Sequence, residues 1–178
     1  MAAGPRDRPR TTKIVTRAPQ EDSIKMIQVM VADDHDDVRR QLIRLIGRAG
    51  DMAVAAEAAD GYEVLERFDA EQTDVVLLDL TMPRKGGIDT LRDLLPRHPE
   101  ARVLIVSMHP PEQLGQRMIR AGAKGYLGKD RVAECLLDAI RAIHAGGIYL
   151  DAGDRAPSRF LAEAPAERGV SRVAGGDG

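Results

Sequence analysis

The sequence predicts an α/β fold: a parallel sheet with helices on both faces. Short apolar runs alternate with longer amphipathic ones five times over residues 25–151, the pattern of repeated strand–helix–strand units. Two of the runs, residues 74–79 (DVVLLD) and 102–107 (RVLIVS), are almost unbroken Val, Leu and Ile. Strands buried on both faces have that composition. Polar residues recur where the runs end: Asp33 and Asp34 after the first, Asp79 after the third, Ser107 after the fourth and Lys129 after the fifth. In an open parallel sheet those ends form one edge, and ligands bind there.

The first strand is expected at residues 27–32 (IQVMVA). It leads into a helix whose apolar stripe is Val38, Leu42, Leu45, Ile46 and Ala49. Asp36 and Asp37 stand just ahead of that stripe. One of them is expected to cap the helix, and both favour the positive end of its dipole. The second strand is 52–57 (MAVAAE), followed by a helix marked by Leu65 and Phe68. After the third strand comes a helix carrying Leu91, Leu94 and Leu95. The helix after the fourth strand, 111–121, is weaker: Pro110-Pro111 opens it, but Gly115 interrupts a narrow apolar face. The fifth strand is 124–128 (KGYLG), and the last helix shows Cys135, Leu136, Ala139, Ile140 and Ile143 on one stripe. Cys135 is most simply a small core residue there. Tyr126, taken alone, is a half-buried edge aromatic.

The flanks differ in composition. Residues 1–24 are rich in Arg, Pro and Thr without an apolar period, and are expected to form a disordered tail. Residues 152–178 are rich in Gly, Ala, Arg and Asp; they are expected to be a second disordered tail or a remnant linker, with only a short helix around Phe160 and Leu161. The domain proper is then 25–151, near the commonest domain size.

Whole-chain properties exclude several classes. A net charge of −2, 3% aromatic residues and no Trp argue against direct nucleic-acid binding. A single cysteine, Cys135, rules out an internal disulfide and fits a reducing cytoplasm. No apolar run approaches the roughly 20 residues of a membrane span, and the N-terminus lacks the apolar core of a secretory signal.

The sheet edge gathers three carboxylates with one ammonium and one hydroxyl. Three carboxylates together repel, and one would stay protonated unless a cation offset them. A hard divalent ion taking oxygen ligands, Mg²⁺ above all, relieves this. Lys129 adds a point charge. Such a site suits transient negative charge on Asp79, which could act as a nucleophile and become an aspartyl phosphate.

At these residues the chain resembles the receiver domain of two-component response regulators. The matching stretches are Asp33-Asp34, LLDLTMP at 77–83 with Asp79, VSMH at 106–109 with Ser107, and AGAKGYLGK at 121–129 with Tyr126 and Lys129. The wording ADDH, DLTMP, SMH and GYLGKD is most similar to the subgroup usually joined to a LuxR-type helix-turn-helix. The resemblance covers about Ile27 to Leu150. It implies a flavodoxin-like, doubly wound sheet of five parallel strands, order 2-1-3-4-5, with five helices. It implies that Asp79 is the phosphoacceptor. Asp34, Asp79 and the Thr81 backbone carbonyl would bind Mg²⁺ directly, and Asp33 would assist through water. Lys129 would pair with the phosphoryl group, Ser107 would turn in to bond it, and Tyr126 would change rotamer in response.

Two residues depart from the family pattern. Gly86 stands where an acidic or amide residue is usual, which is expected to loosen the loop after Asp79. Asp130 follows Lys129 where many receivers have Pro. His35 and His109 could suggest a Zn²⁺ or Mn²⁺ site, but the subgroup carries both routinely.

The expected function is a single-domain response regulator. A sensor histidine kinase or phosphotransfer protein would phosphorylate Asp79, and an output protein would read the face formed by the fourth helix, fifth strand and fifth helix. A phosphorylation-dependent homodimer is left open. The product is a signal, so the chain is not counted as an enzyme. A constitutive, unphosphorylated interaction module is the alternative, disfavoured by the intact set of site residues. Another is a truncated DNA-binding regulator, since no recognition helix follows Leu150. A haloacid-type phosphohydrolase would need an aspartate where Thr81 stands.

Overall fold

The computed structural model describes residues 25–151 and the backbone of Arg159–Leu161. Strands β1 (Ile27–Ala32), β2 (Met52–Ala58), β3 (Val75–Leu78), β4 (Val103–Ser107) and β5 (Gly125–Gly128) alternate with helices α1 (Asp36–Ile46), α2 (Gly61–Ala70), α3 (Gly87–Leu94), α4 (Pro111–Arg120) and α5 (Val132–His144). A single 3₁₀ turn, Lys129–Arg131, joins β5 to α5. The first five strands pair in parallel in the order 2-1-3-4-5.

The sheet does not stop at five strands. β6 (Ile148–Leu150) adds in parallel to β5, and β7 (Arg159–Leu161) adds antiparallel to β6. The expectation of five strands is corrected to seven. The helix expected around Phe160 and Leu161 is likewise corrected: those residues lie in β7. A three-residue strand has no periodicity of its own, and what makes it a strand is pairing with a distant edge. The tail expected at 1–24 lies outside the described residues, as do 152–158 and 162–178.

Alternation along the strands builds two cores. Val29, Val31, Val75, Leu77, Leu104, Val106 and Leu127 face α1 and α5. Met30, Ala32, Val76, Leu78, Val103, Ile105 and Tyr126 face α2, α3 and α4. Both faces are covered, which is why β3 is apolar at every position and β4 at all but its last. Each fully buried Leu or Ile contributes roughly 1.5–3 kcal/mol by leaving water, and the cost of polar backbone at strand interiors is met by ladder bonds.

α4 explains its own weak signal. A β-carbon on Gly115 would stand 2.6 Å from Leu150 Cδ1 and 3.7 Å from the Tyr126 ring. Glycine is there because β6 and β5 press against the helix. β6 also means that β5 is not a sheet edge.

Candidate functional site

The β1 carboxyl end carries the acidic turn. Asp33 is buried, and its Oδ1 accepts from the His35 N–H at 2.9 Å. His35, not Asp36 or Asp37, is the N-cap of α1, with no side-chain cap bond; the two aspartates fall inside the first turn. The capping expectation is therefore off by a residue, while the dipole expectation for both acids stands.

β3 delivers Asp79 and β5 delivers Lys129 to the same place. Lys129 Nζ lies 2.6 Å from Asp33 Oδ2 and 3.2 Å from Asp79 Oδ1. One ammonium thus serves two carboxylates that are both nearly inaccessible to water. The other Asp79 oxygen, Oδ2, accepts from the Thr81 N–H at 3.2 Å. Burial pushes the Asp79 carboxyl above the ordinary aspartate range; Lys129 opposes this, and Asp33 adds to it. Burial works against the charge of Lys129, but its bonds to Asp33 and Asp79 outweigh that and hold its pKa up.

Asp34 is the less buried of the pair. His35 Nδ1 lies 2.9 Å from Asp34 Oδ1, but that oxygen is buried and receives no aligned hydrogen bond. Asp33, Asp34 and His35 place donor atoms within 4.8 Å of one another. Three carboxylates with a single ammonium leave excess negative charge, and one carboxylate oxygen lacks a donor. The carboxylate oxygens of Asp33 and Asp34, with Asp79 held to Asp33 by the same ammonium, fit a hard divalent cation, and His35 adds a nitrogen to that group. His109 is not part of that cluster.

The switch candidates meet at His109. The Ser107 hydroxyl accepts from the His109 N–H at 3.1 Å and lies 3.2 Å from His109 Nδ1. Tyr126 is fully buried, and its hydroxyl donates to the His109 carbonyl at 3.0 Å. Burial raises the Tyr126 phenol above its ordinary value; the Ser107 hydroxyl works the other way. The half-buried aromatic suggested by Tyr126 alone is thus a core residue with a satisfied hydroxyl.

The loop after β3 is held, not loosened. The Gly61 N–H donates to the Lys85 carbonyl at 3.0 Å, and the Gly87 N–H to the Leu80 carbonyl at 3.0 Å. Arg84 adopts φ 61°, uncommon for a residue with a β-carbon. Its guanidinium is paired with the buried Asp60 and with Glu63. Asp60 caps α2 through the Tyr62 and Glu63 N–H groups. This clamp was not legible, because its partners come from separate elements.

Arg39 was also missed. Its guanidinium donates to the Asp33 carbonyl at 2.7 Å and to Glu57 at 3.2 Å, and it pairs with Asp36. Helical spacing puts Arg39 at the margin of the α1 apolar stripe and Arg40 on the far side, but the partners of Arg39 are not readable from it; Arg40 is exposed and stands 3.7 Å from Asp36 and Asp37.

Fold and site together define a doubly wound α/β module with an acidic, lysine-bearing sheet edge, and comparison with known proteins gives its family. The profile of the response regulator receiver domain matches residues 29–141. The chain belongs to that family. It is 33% identical over 124 residues to the transcriptional regulatory protein DegU of Brevibacillus brevis, covering 70% of this chain and 52% of that protein. It is 36% identical over 138 residues to the DNA-binding transcriptional activator DevR/DosR of Mycobacterium tuberculosis, covering 78% and 63%. The chain thus spans between half and two thirds of the length of these relatives. Among solved structures, a LuxR-family two-component response regulator from Aurantimonas superposes with a TM-score of 0.65 at 38% identity, covering 68% of this chain and 87% of that one. The response regulator domain of Thermotoga maritima CheB gives 0.63 at 28% identity, covering 68% and 98%. Among the described residues no helix is long and apolar enough to cross a membrane.

Proposed function

We propose that this chain is a phosphorylation-dependent signalling protein of the cytoplasm, whose Asp79 accepts a phosphoryl group from a histidine kinase or phosphotransfer protein. The observation that carries this is the buried Lys129 ammonium set between Asp33 and Asp79. A carboxylate held beside a fixed cation, with a further cation site next to it, is equipped to take on phosphoryl charge.

In the proposed step an Asp79 oxygen attacks the phosphorus of a phosphohistidine. The P–N bond breaks as a P–O bond forms, and the imidazole leaves with the electron pair, taking a proton. Asp34, Asp79 and the Thr81 carbonyl would hold Mg²⁺, with Asp33 assisting through water. When bound, the ion would supply charge neutralisation for the phosphoryl oxygens. Lys129 pairs with the same oxygens from the β5 side. Ser107 would then exchange His109 for the phosphoryl group, which frees the contact that Tyr126 shares with the same backbone.

The output is read on the surface of α4 and α5, where an output protein or a second copy would dock. Because β6 covers the β5 edge, the helices rather than the strand would present that face. No direct contact with nucleic acid is assigned to the described residues.

Intact-mass analysis after incubation with acetyl phosphate tests the reading. A single phosphoryl adduct is expected in Mg²⁺, lost in EDTA and absent from Asp79→Asn. The same test with a cognate kinase distinguishes a receiver that refuses small donors from a constitutive interaction module.

A further inference from the structure

Arg39 sits in the first turns of α1 with its side chain only 17% exposed. Its three guanidinium nitrogens reach three different places. One donates to the Asp33 carbonyl at 2.7 Å, one to Glu57 on β2 at 3.2 Å, and the third meets Asp36. On the other side of the same residue, the Asp33 N–H donates to the Ala58 carbonyl of β2 at 3.1 Å. The Asp33 backbone is therefore held from both sides.

We propose that Arg39 is a positioning residue for the divalent cation: by fixing the Asp33 carbonyl it keeps the Asp33–Asp34 turn in the conformation that aims both carboxylates at the ion. The inference rests on the proposed Mg²⁺ site. Partners that orient ligands raise affinity without touching the metal. The fork geometry matters, because a planar guanidinium can serve three acceptors at fixed angles and an ammonium cannot. Burial works against the Arg39 charge, and Asp36 and Glu57 more than offset it.

Two effects of Arg39 on the cation have opposite signs. As a nearby positive charge it repels Mg²⁺, so removing it should tighten binding. As a positioning residue it aligns the ligands, so removing it should weaken binding. The sign of the change decides between them. A merely structural role would lower stability and leave the affinity where it was.

The test is calorimetric titration of the full chain with MgCl₂, comparing wild type, Arg39→Gln, Arg39→Lys and Asp34→Asn, with far-ultraviolet circular dichroism to establish folding. Both Arg39 variants should bind Mg²⁺ about tenfold to a hundredfold more weakly, the range for lost ligand-orienting partners. The lysine should not rescue, since it keeps the charge and loses the fork. Unchanged or tighter binding in Arg39→Gln, or wild-type affinity in Arg39→Lys, would overturn the proposal. So would loss of folding in both variants, which would make Arg39 a fold-holding residue. Failure of the wild type to bind Mg²⁺, or wild-type affinity in Asp34→Asn, would instead sink the cation site itself and this inference with it.

Discussion

The α-carbon of Gly87 packs directly against the carbonyl of Asp79: a β-carbon there would overlap the Asp79 oxygen and sit 2.9 Å from its carbonyl carbon. Both neighbours are backbone, so neither can rotate away. Gly87→Ala is expected to cost about 1–3 kcal/mol, the usual range for overpacking, and to slow phosphorylation by displacing the β3 end. Gly86→Ala is the control. There the nearest atom is the Leu80 carbonyl at 3.2 Å, and the loss should be smaller. Urea unfolding of the two variants measures the difference, and equal stability would refute the packing account.

Asp79 carries a pH signature in the metal-free protein. Its carboxyl is raised by burial, so the fold favours the protonated form. The stability this contributes is full below the unfolded-chain value near 3.9 and is lost as pH rises through the higher folded value. Wild type in EDTA should therefore weaken, relative to Asp79→Asn, as pH climbs from about 4 toward neutrality. Adding Mg²⁺ should reverse the order if Asp79 belongs to the proposed ligand set, since only the wild type then keeps it whole. Thermal melts across pH with and without Mg²⁺ check both signs. An asparagine variant less stable in EDTA at neutral pH would contradict the burial argument.

Much of this arrangement is legible in the sequence, because the physics that sets it is local. DVVLLD and RVLIVS announce strands covered on both sides, and a polar residue ending each run places it at the common edge. Asp33, Asp79 and Lys129 do converge there. What escapes is non-local. β6 is a three-residue strand that begins directly after a Gly-Gly pair, and only its register with Gly125 and Tyr126 makes it a strand. Gly115 is visible as a flaw in α4, while its reason, Leu150, lies 35 positions away in the numbering. Gly86 suggests a loose loop, whereas Arg84, Asp60 and the Lys85 carbonyl tie that loop to α2. Helical spacing separates the half-buried Arg39 from the solvated Arg40, but not the partners of Arg39, which come from the β1 end, β2 and the first turn of α1.

The loop before β2 is fastened to α5 by a fork. Arg141 reaches Asp51 through two nitrogens at 2.8 and 3.0 Å. This bond holds the Asp51 carboxyl below the ordinary range. A depressed carboxyl contributes stability that is present above the unfolded value near 3.9 and is lost as pH falls through the lower folded value. Both side chains are more than a third exposed, so water screens the pair. Asp51→Asn should cost less than about 1 kcal/mol at pH 7 and low salt, with the gap closing in acid and shrinking at high ionic strength. A gap unaffected by pH and salt would show that the loss is packing rather than charge.

Lys129 is the reverse case, a cation whose removal strands what it was serving. Without it, the buried carboxylates of Asp33 and Asp79 keep only the exposed His35 ring, 3.5 Å from Asp33 Oδ1, as a basic neighbour. Breaking a buried pair from one side typically costs about 3–5 kcal/mol. Lys129→Ala in EDTA should therefore be among the most destabilising single changes at this edge. Part of that loss should return when Mg²⁺ is added, because a ligand that binds only the folded state stabilises it by mass action. The Mg²⁺-induced rise in melting temperature should be larger for Lys129→Ala than for the wild type, in which the ammonium already offsets part of the charge. Lys129→Ala, Asp79→Asn together should be more stable in EDTA than Lys129→Ala alone, since the second change removes one of the stranded charges. Additive losses in the double variant would mean that Lys129 and Asp79 act independently, which their 3.2 Å separation argues against.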